Sequence, residues 1–156
     1  MKPSEGRNRA AVLGPLADIF DTDPATACVN LAKARHAEFS LMKGVGTTGT
    51  ATVTVEACTD AAGSGATAIA FNYRKATSGN LDVLGALTAA TSSGFATTAG
   101  STQQYVIGID ARELPTGSPF VRLKFVEVVN SPCLGVVSVV VDGPLFGGQT
   151  LTTVLA

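Results

Sequence analysis

Short runs of alternating apolar and polar residues, separated by turn-forming residues, are the clearest regularity along this chain. In the run TATVTVEAC, Val53, Val55 and Ala57 fall on one side and Thr52, Thr54 and Glu56 on the other, the period-two pattern of a strand buried on one face. The same pattern places Ile69, Phe71 and Tyr73 on one strand, Tyr105, Ile107 and Ile109 on a second, and Val121, Leu123 and Phe125 on a third. In the last of these the phase shifts at Val126, Glu127 and Val128, which predicts a bulge near Val126. Residues 136–141 are so rich in β-branched side chains that they predict a strand buried on both faces.

Residues 25–43 carry two opposed signals. Asp23 and Pro24 suit the start of a helix, and the Ala, Leu, Lys and Arg that follow favour one. Against that, Ala37, Phe39 and Leu41 alternate with His36, Glu38 and Ser40. The alternation favours two short strands, 28–32 and 36–43, with a turn around Ala34 and Arg35. Residues 76–103 are rich in Ser, Thr, Ala and Gly, so short edge strands and loops are expected there, anchored by Leu81, Val83, Leu84, Leu87 and Phe95. About seven or eight strands spaced by turns imply an all-β chain, an antiparallel β-sandwich of jelly-roll or immunoglobulin-like type. The expected organisation is an extended N-terminal arm (1–24), a sandwich body (25–146) and a C-terminal tail (147–156) that forms a second arm.

Composition narrows the function. With 156 residues, 46% hydrophobic and 15% charged, the chain suits one domain able to bury roughly 70% of its unfolded surface. A net charge of -1 lacks the basic footprint of nucleic-acid binding. The apolar stretch at residues 134–141 is broken by Gly135 and Ser138 and falls far short of the ~20 residues that cross a bilayer, so no membrane partner is expected. The N-terminus has no uninterrupted apolar region of the secretory kind. Cys28, Cys58 and Cys133 are odd in number and lack CxxC spacing, which suits reduced, buried thiols made in a cytoplasm.

Candidate chemistry is sparse. Gly44, Gly46 and Gly49 match a dinucleotide fingerprint in spacing, but that site needs a helix after the glycines, and a strand follows instead. His36 is the only histidine; Glu38 on the same strand face would give it one partner in a metal site, with no third ligand close in sequence. Asp21 and Asp23 lack the rest of a calcium loop. No nucleophile elbow or phosphate-loop lysine is present. The expectation is therefore a non-enzyme with no catalytic residue, no cofactor and no metal. Arg7, Arg9, Arg122, Lys124, Leu151 and Val154 are its candidate interface residues.

Three stretches, VTVEACTDAAGSGATAIAFNYRKA, YVIGIDARELPTGSPFVRLKFVEV and the Val-rich strand running into Asp142-Gly143-Pro144, resemble the decoration or cement proteins of tailed phages with HK97-like shells. These are small proteins encoded beside the major capsid protein. The resemblance runs through Val55 to Tyr73 and Tyr105 to Arg122 and contains no catalytic motif. This chain departs from the family pattern in its basic N-terminus and in the segment 115–119. The resemblance implies a virion protein on the outer surface of the head, assembled in the host bacterial cytoplasm. It would bind the major capsid protein and form a homo-oligomer, a dimer rather than a trimer. Removing residues 1–20 or 148–156 is then expected to weaken shell binding and leave the body folded. The alternatives are a tail-tube, tail-terminator or head-tail joining protein, and an adhesion or carbohydrate-binding sandwich. The last is disfavoured by the absence of Trp and the presence of only two Tyr.

Overall fold

A computed structural model describes residues 7–44, 48–76, 81–100, 102–145 and 155. Its strands are β1 (Arg7–Leu16), β2 (Val29–Asn30), β3 (Ala34–Lys43), β4 (Thr50–Cys58), β5 (Thr67–Ile69), β6 (Phe71–Ala76), β7 (Thr88–Ala90), β8 (Phe95–Ala96), β9 (Gln103–Asp110), β10 (Phe120–Val129) and β11 (Gly135–Pro144). The only helical element among the described residues is a single 3-10 turn, Ala111–Glu113. Helix propensity in 25–43 is thus overridden by the alternation, and the turn lies at Ala32 and Lys33, just before the expected position.

Two antiparallel sheets face each other. One has the order β1-β11-β3-β9-β6-β7; the other runs β2-β10-β4-β5, with β8 also pairing β4. Setting aside β6, β7 and β8, the chain changes sheet at every step except the β4–β5 hairpin. The eight remaining strands stand in the orders 1-11-3-9 and 2-10-4-5. That is jelly-roll topology, in which antiparallel strand pairs wrap around one core.

The core lies between the sheets. From one sheet come Ala37, Phe39, Leu41, Ile107, Ile109, Val137, Val139 and Val141; from the other Val53, Val55, Val121, Leu123 and Phe125, all fully buried. In β11 the odd-numbered valines face this core, while Val136, Ser138 and Val140 are half-buried on the outer face. The expectation of burial on both faces is therefore corrected: β11 lies between β1 and β3, but among the described residues no second layer covers that sheet from outside.

Other expectations shift in detail. Ile69, Phe71 and Tyr73 keep one alternation but belong to two strands, because the chain passes from one sheet to the other at Ala70. The β10 irregularity lies between Glu127 and Val129, slightly later than expected. Among the apolar residues expected to anchor 76–103, Phe95 does so, its ring stacked 4.0 Å from Tyr73. Val83, Leu84 and Leu87 are instead exposed. The 81–87 loop is held by backbone: Gly85 N–H donates to the Lys75 carbonyl at 2.9 Å and Arg74 Nη1 donates to the Gly85 carbonyl at 3.0 Å.

The segment read as an N-terminal arm is extended but, in its described part, built into the body. β1 pairs with β11 from Arg7↔Asp142 to Leu16↔Gly135. Ile19 and Phe20 behind it are fully buried, and the Phe20 ring packs 5.7 Å from Phe125. Of the C-terminal tail, Leu155 is described; it bridges to Val29 and packs against the core. Leu151 and Val154 lie outside the described residues.

Candidate functional site

The outer face of the six-stranded sheet sets six charged side chains and His36 in ordered rows. Cross-strand partners point to the same side of a sheet, so the register fixes each row. The first runs Arg7, Asp142, His36, Asp110; the second Arg9, Val140, Glu38, Gly108, Asn72; the third Ala11, Ser138, Ser40, Val106, Arg74. A fourth contains Val136, Met42 and Gln104. The face is cationic at the β1 edge and anionic over β3 and β9. A groove of about 330 Å³ opens over β3, β9 and β6, with Gly108 in its floor and Leu84 and Leu87 on its rim.

Within these rows Arg7 lies 3.2 Å from Asp142, an exposed pair, and His36 Nδ1 lies 3.7 Å from Asp110 Oδ1. Asp110 also starts the 3-10 turn, its backbone N–H donating to Glu113 Oε2 at 2.8 Å. A side chain at position 108 would come within 3.1 Å of the His36 ring, so the glycine is what leaves room for the imidazole over β9. Sequence alternation placed His36 and Glu38 on one face, but nothing in it signalled that Asp110 and Gly108 would stand beside them. Among the described residues no group of three or more His, Cys, Asp or Glu is placed to hold a metal ion.

Arg122 and Lys124 sit on the outer face of the other sheet, and both have partners within the chain. Arg122 Nε donates to Glu56 Oε2 at 2.8 Å, with both side chains largely buried. Burial disfavours the charged guanidinium, but the hydrogen bond and charge of Glu56 prevail and hold its pKa above the ordinary value. The guanidinium lies under the 60–65 loop, against Gly63, which has a φ of +83°. Lys124 donates to the Asp23 carbonyl. Arg122 is therefore a clamp between β10 and β4 rather than a free contact residue. Arg7 and Arg9 are exposed at the sheet edge.

One end of the sandwich is apolar. Leu16, Met42, Val126, Val128, Val129 and Leu134 are all exposed, and register brings them to the same end. Leu16 pairs Gly135, Gly135 pairs Lys43, and Val129 pairs Thr50. The end is tied by Lys43, whose buried ammonium donates to the carbonyls of Gly49 at 2.8 Å and Thr98 at 2.9 Å. Of the glycines that match a dinucleotide fingerprint in spacing, Gly44 and Gly49 lie between β3 and β4 of the opposite sheet, with a strand after them, and Gly46 lies outside the described residues.

All three cysteines are free and buried. Burial, followed by the neighbouring Cys28, pushes the Cys58 thiol up to about 11; burial raises Cys133 as well. A thiol so placed is neither ionised nor reachable near neutrality. Iodoacetamide at about pH 8 is expected to leave the native protein unlabelled and to label all three cysteines in denaturant. Mass spectrometry before and after unfolding checks this, and rapid native labelling of Cys58 would contradict the burial.

No protein-family model and no curated protein matches the sequence. Among solved structures the chain is similar to the SPBc2 prophage-derived protein YomS. Identity is 12% over 92% of this chain and 98% of that one, with a TM-score of 0.48. A likeness of that size transfers nothing about function. No helix among the described residues is long and apolar enough to cross a membrane.

Proposed function

We propose that this chain is a structural virion protein and not an enzyme: a decoration subunit that binds the outside of a tailed-phage head and bridges major capsid proteins. The observation that carries the reading is the exposed apolar end formed by Leu16, Met42, Val126, Val128, Val129 and Leu134. Exposed apolar side chains concentrated toward one end of a small domain suit that end to protein contact. The resemblance of residues 55–73 and 105–122 to phage decoration proteins supplies the kind of partner. A lattice of identical subunits lets modest contacts sum through multivalency, so no single residue has to dominate.

The test mixes the purified chain with expanded heads that lack it and images the particles by cryo-electron microscopy. Stoichiometric density across the outer shell is expected. The double variant Val128→Asp, Leu134→Asp should bind at least about tenfold more weakly, because each substitution puts a charge into a desolvated contact. Density confined to the portal or tail would replace this reading with a head-tail joining or tail role. Undiminished binding by the double variant would remove the apolar end from the contact.

A further inference from the structure

We infer that the outer face of the six-stranded sheet is a self-complementary surface, and that its occupant is the same face of a second copy. The argument is one of register and charge. Strands β1, β11, β3 and β9 lie side by side in that order. A twofold axis running along the strands between β11 and β3 therefore lays β1 of the second copy over β9 of the first, without shifting the rows. Each row then meets its own mirror order.

In the first row Arg7 of one copy stands over Asp110 of the other, and Asp142 stands over His36. In the second, Arg9 stands over Gly108, where no side chain blocks it, with Glu38 alongside. In the third, Ala11 meets Val106 and Ser138 meets Ser40; in the fourth, Val136 meets Met42. Opposite charges meet directly in the row nearest the 3-10 turn; in the second row Glu38 meets Val140 and has Arg9 as its diagonal neighbour, and small and apolar side chains meet in the others. Among the described residues Arg9 and Glu38 have no ionic partner within the chain, and Met42 is exposed.

The surroundings fit the same occupant. The 81–87 loop stands beside β6, fixed to it by the Gly85 and Arg74 hydrogen bonds. Its exposed Leu84 and Leu87 form the rim of the groove against which the β1 edge of the second copy comes to rest. The four overlapping strands, spaced ~4.8 Å apart and eight residues long at ~3.4 Å each, offer roughly 520 Å² of flat face. With the loop added, that comes nearer the ~800 Å² per partner of a standard interface. An isologous contact of this kind closes on itself and, Met42 apart, leaves the apolar end free on both copies.

Charge reversal gives a test that does not depend on shell binding. Sedimentation velocity of the full chain, at concentrations up to about 100 µM where a weak specific contact is populated, should show a mass twice 15.8 kDa. The variant Arg7→Glu, Arg9→Glu turns the cationic β1 edge acidic, and Glu38→Arg, Asp110→Arg turns the acidic strip on β3 and β9 basic, with Asp142 and Arg74 unchanged in both. Each alone should associate at least about tenfold more weakly than the wild type. An equimolar mixture of the two should recover the dimer, because both symmetry-related contacts then pair opposite charges. A monomeric wild-type chain, variants that dimerise unimpaired, or a mixture that stays monomeric would each overturn the inference. None of these results bears on decoration of the head, which the imaging experiment judges separately.

Discussion

Removing residues 1–20 will abolish cooperative folding rather than trim a flexible arm. The sequence alone led to the opposite expectation, a truncated protein that stays folded and binds its shell less well. The structure reverses it, because the segment supplies both an edge strand and two core residues. β1 covers one side of β11 from Gly135 to Asp142, and Ile19 and Phe20 have no exposed surface. Deleting a buried Ile typically costs 2–5 kcal/mol and a buried Phe ~3–5 kcal/mol. Together these match the ~5–15 kcal/mol by which a domain of ordinary stability stays folded. Urea or thermal unfolding followed by circular dichroism checks this: the truncated chain should show no cooperative transition. The single variant Phe20→Ala should still fold, with a midpoint lowered by about 10 °C. A truncated chain with a wild-type melting curve would show that β1 and Phe20 are dispensable.

Gly94→Ala is the second large effect, expected to cost about 3 kcal/mol and roughly 6–12 °C in thermal midpoint for a chain of this size. Two penalties combine there. The glycine has a φ of +77°, and a Cβ at that position would lie 2.1 Å from the Val53 carbonyl oxygen. The left-handed conformation alone costs an alanine ~1–2 kcal/mol, and backbone cannot move aside as the tip of a side chain can. Just after the turn, Phe95 pairs with Val53 and its ring packs against Tyr73 and Tyr105. Displacing the turn therefore also pulls that aromatic cluster apart. Gly117→Ala is the matched control: its φ is +86°, but no atom lies within 4 Å of the added Cβ, so it should show the conformational penalty without the clash. Equal midpoints for the two variants would mean that the close approach at Val53 carries no cost.

The strands themselves were legible because a half-buried strand writes its inner face into every second residue. Val53, Val55, Ile107, Ile109, Val121, Leu123 and Phe125 were assigned to the core by alternation and are all fully buried. Alternation reports a face and never a neighbour. Ile69 and Phe71 therefore read as one strand although they belong to different sheets, and Arg122 read as a contact residue although Glu56 holds it. Leu84 and Leu87 read as anchors for a similar reason: apolar character does not say whether a loop is held by its side chains or, as here, by its backbone.

The sequence by itself determined that the chain is all β, where most strands run, many of the side chains that fill the core and that its thiols are buried. Each of these follows from local periodicity and from the cost of exposing apolar surface. Only the tertiary structure decided that the strands wrap as a jelly roll, that the N-terminal segment belongs to the body, and that Arg7 and Arg9 share a face with Glu38 and Asp110. Those facts depend on which strands become neighbours and in what register. Contacts between β1 and β11 join residues more than a hundred positions apart, and no local pattern records a pairing that long-range packing alone selects.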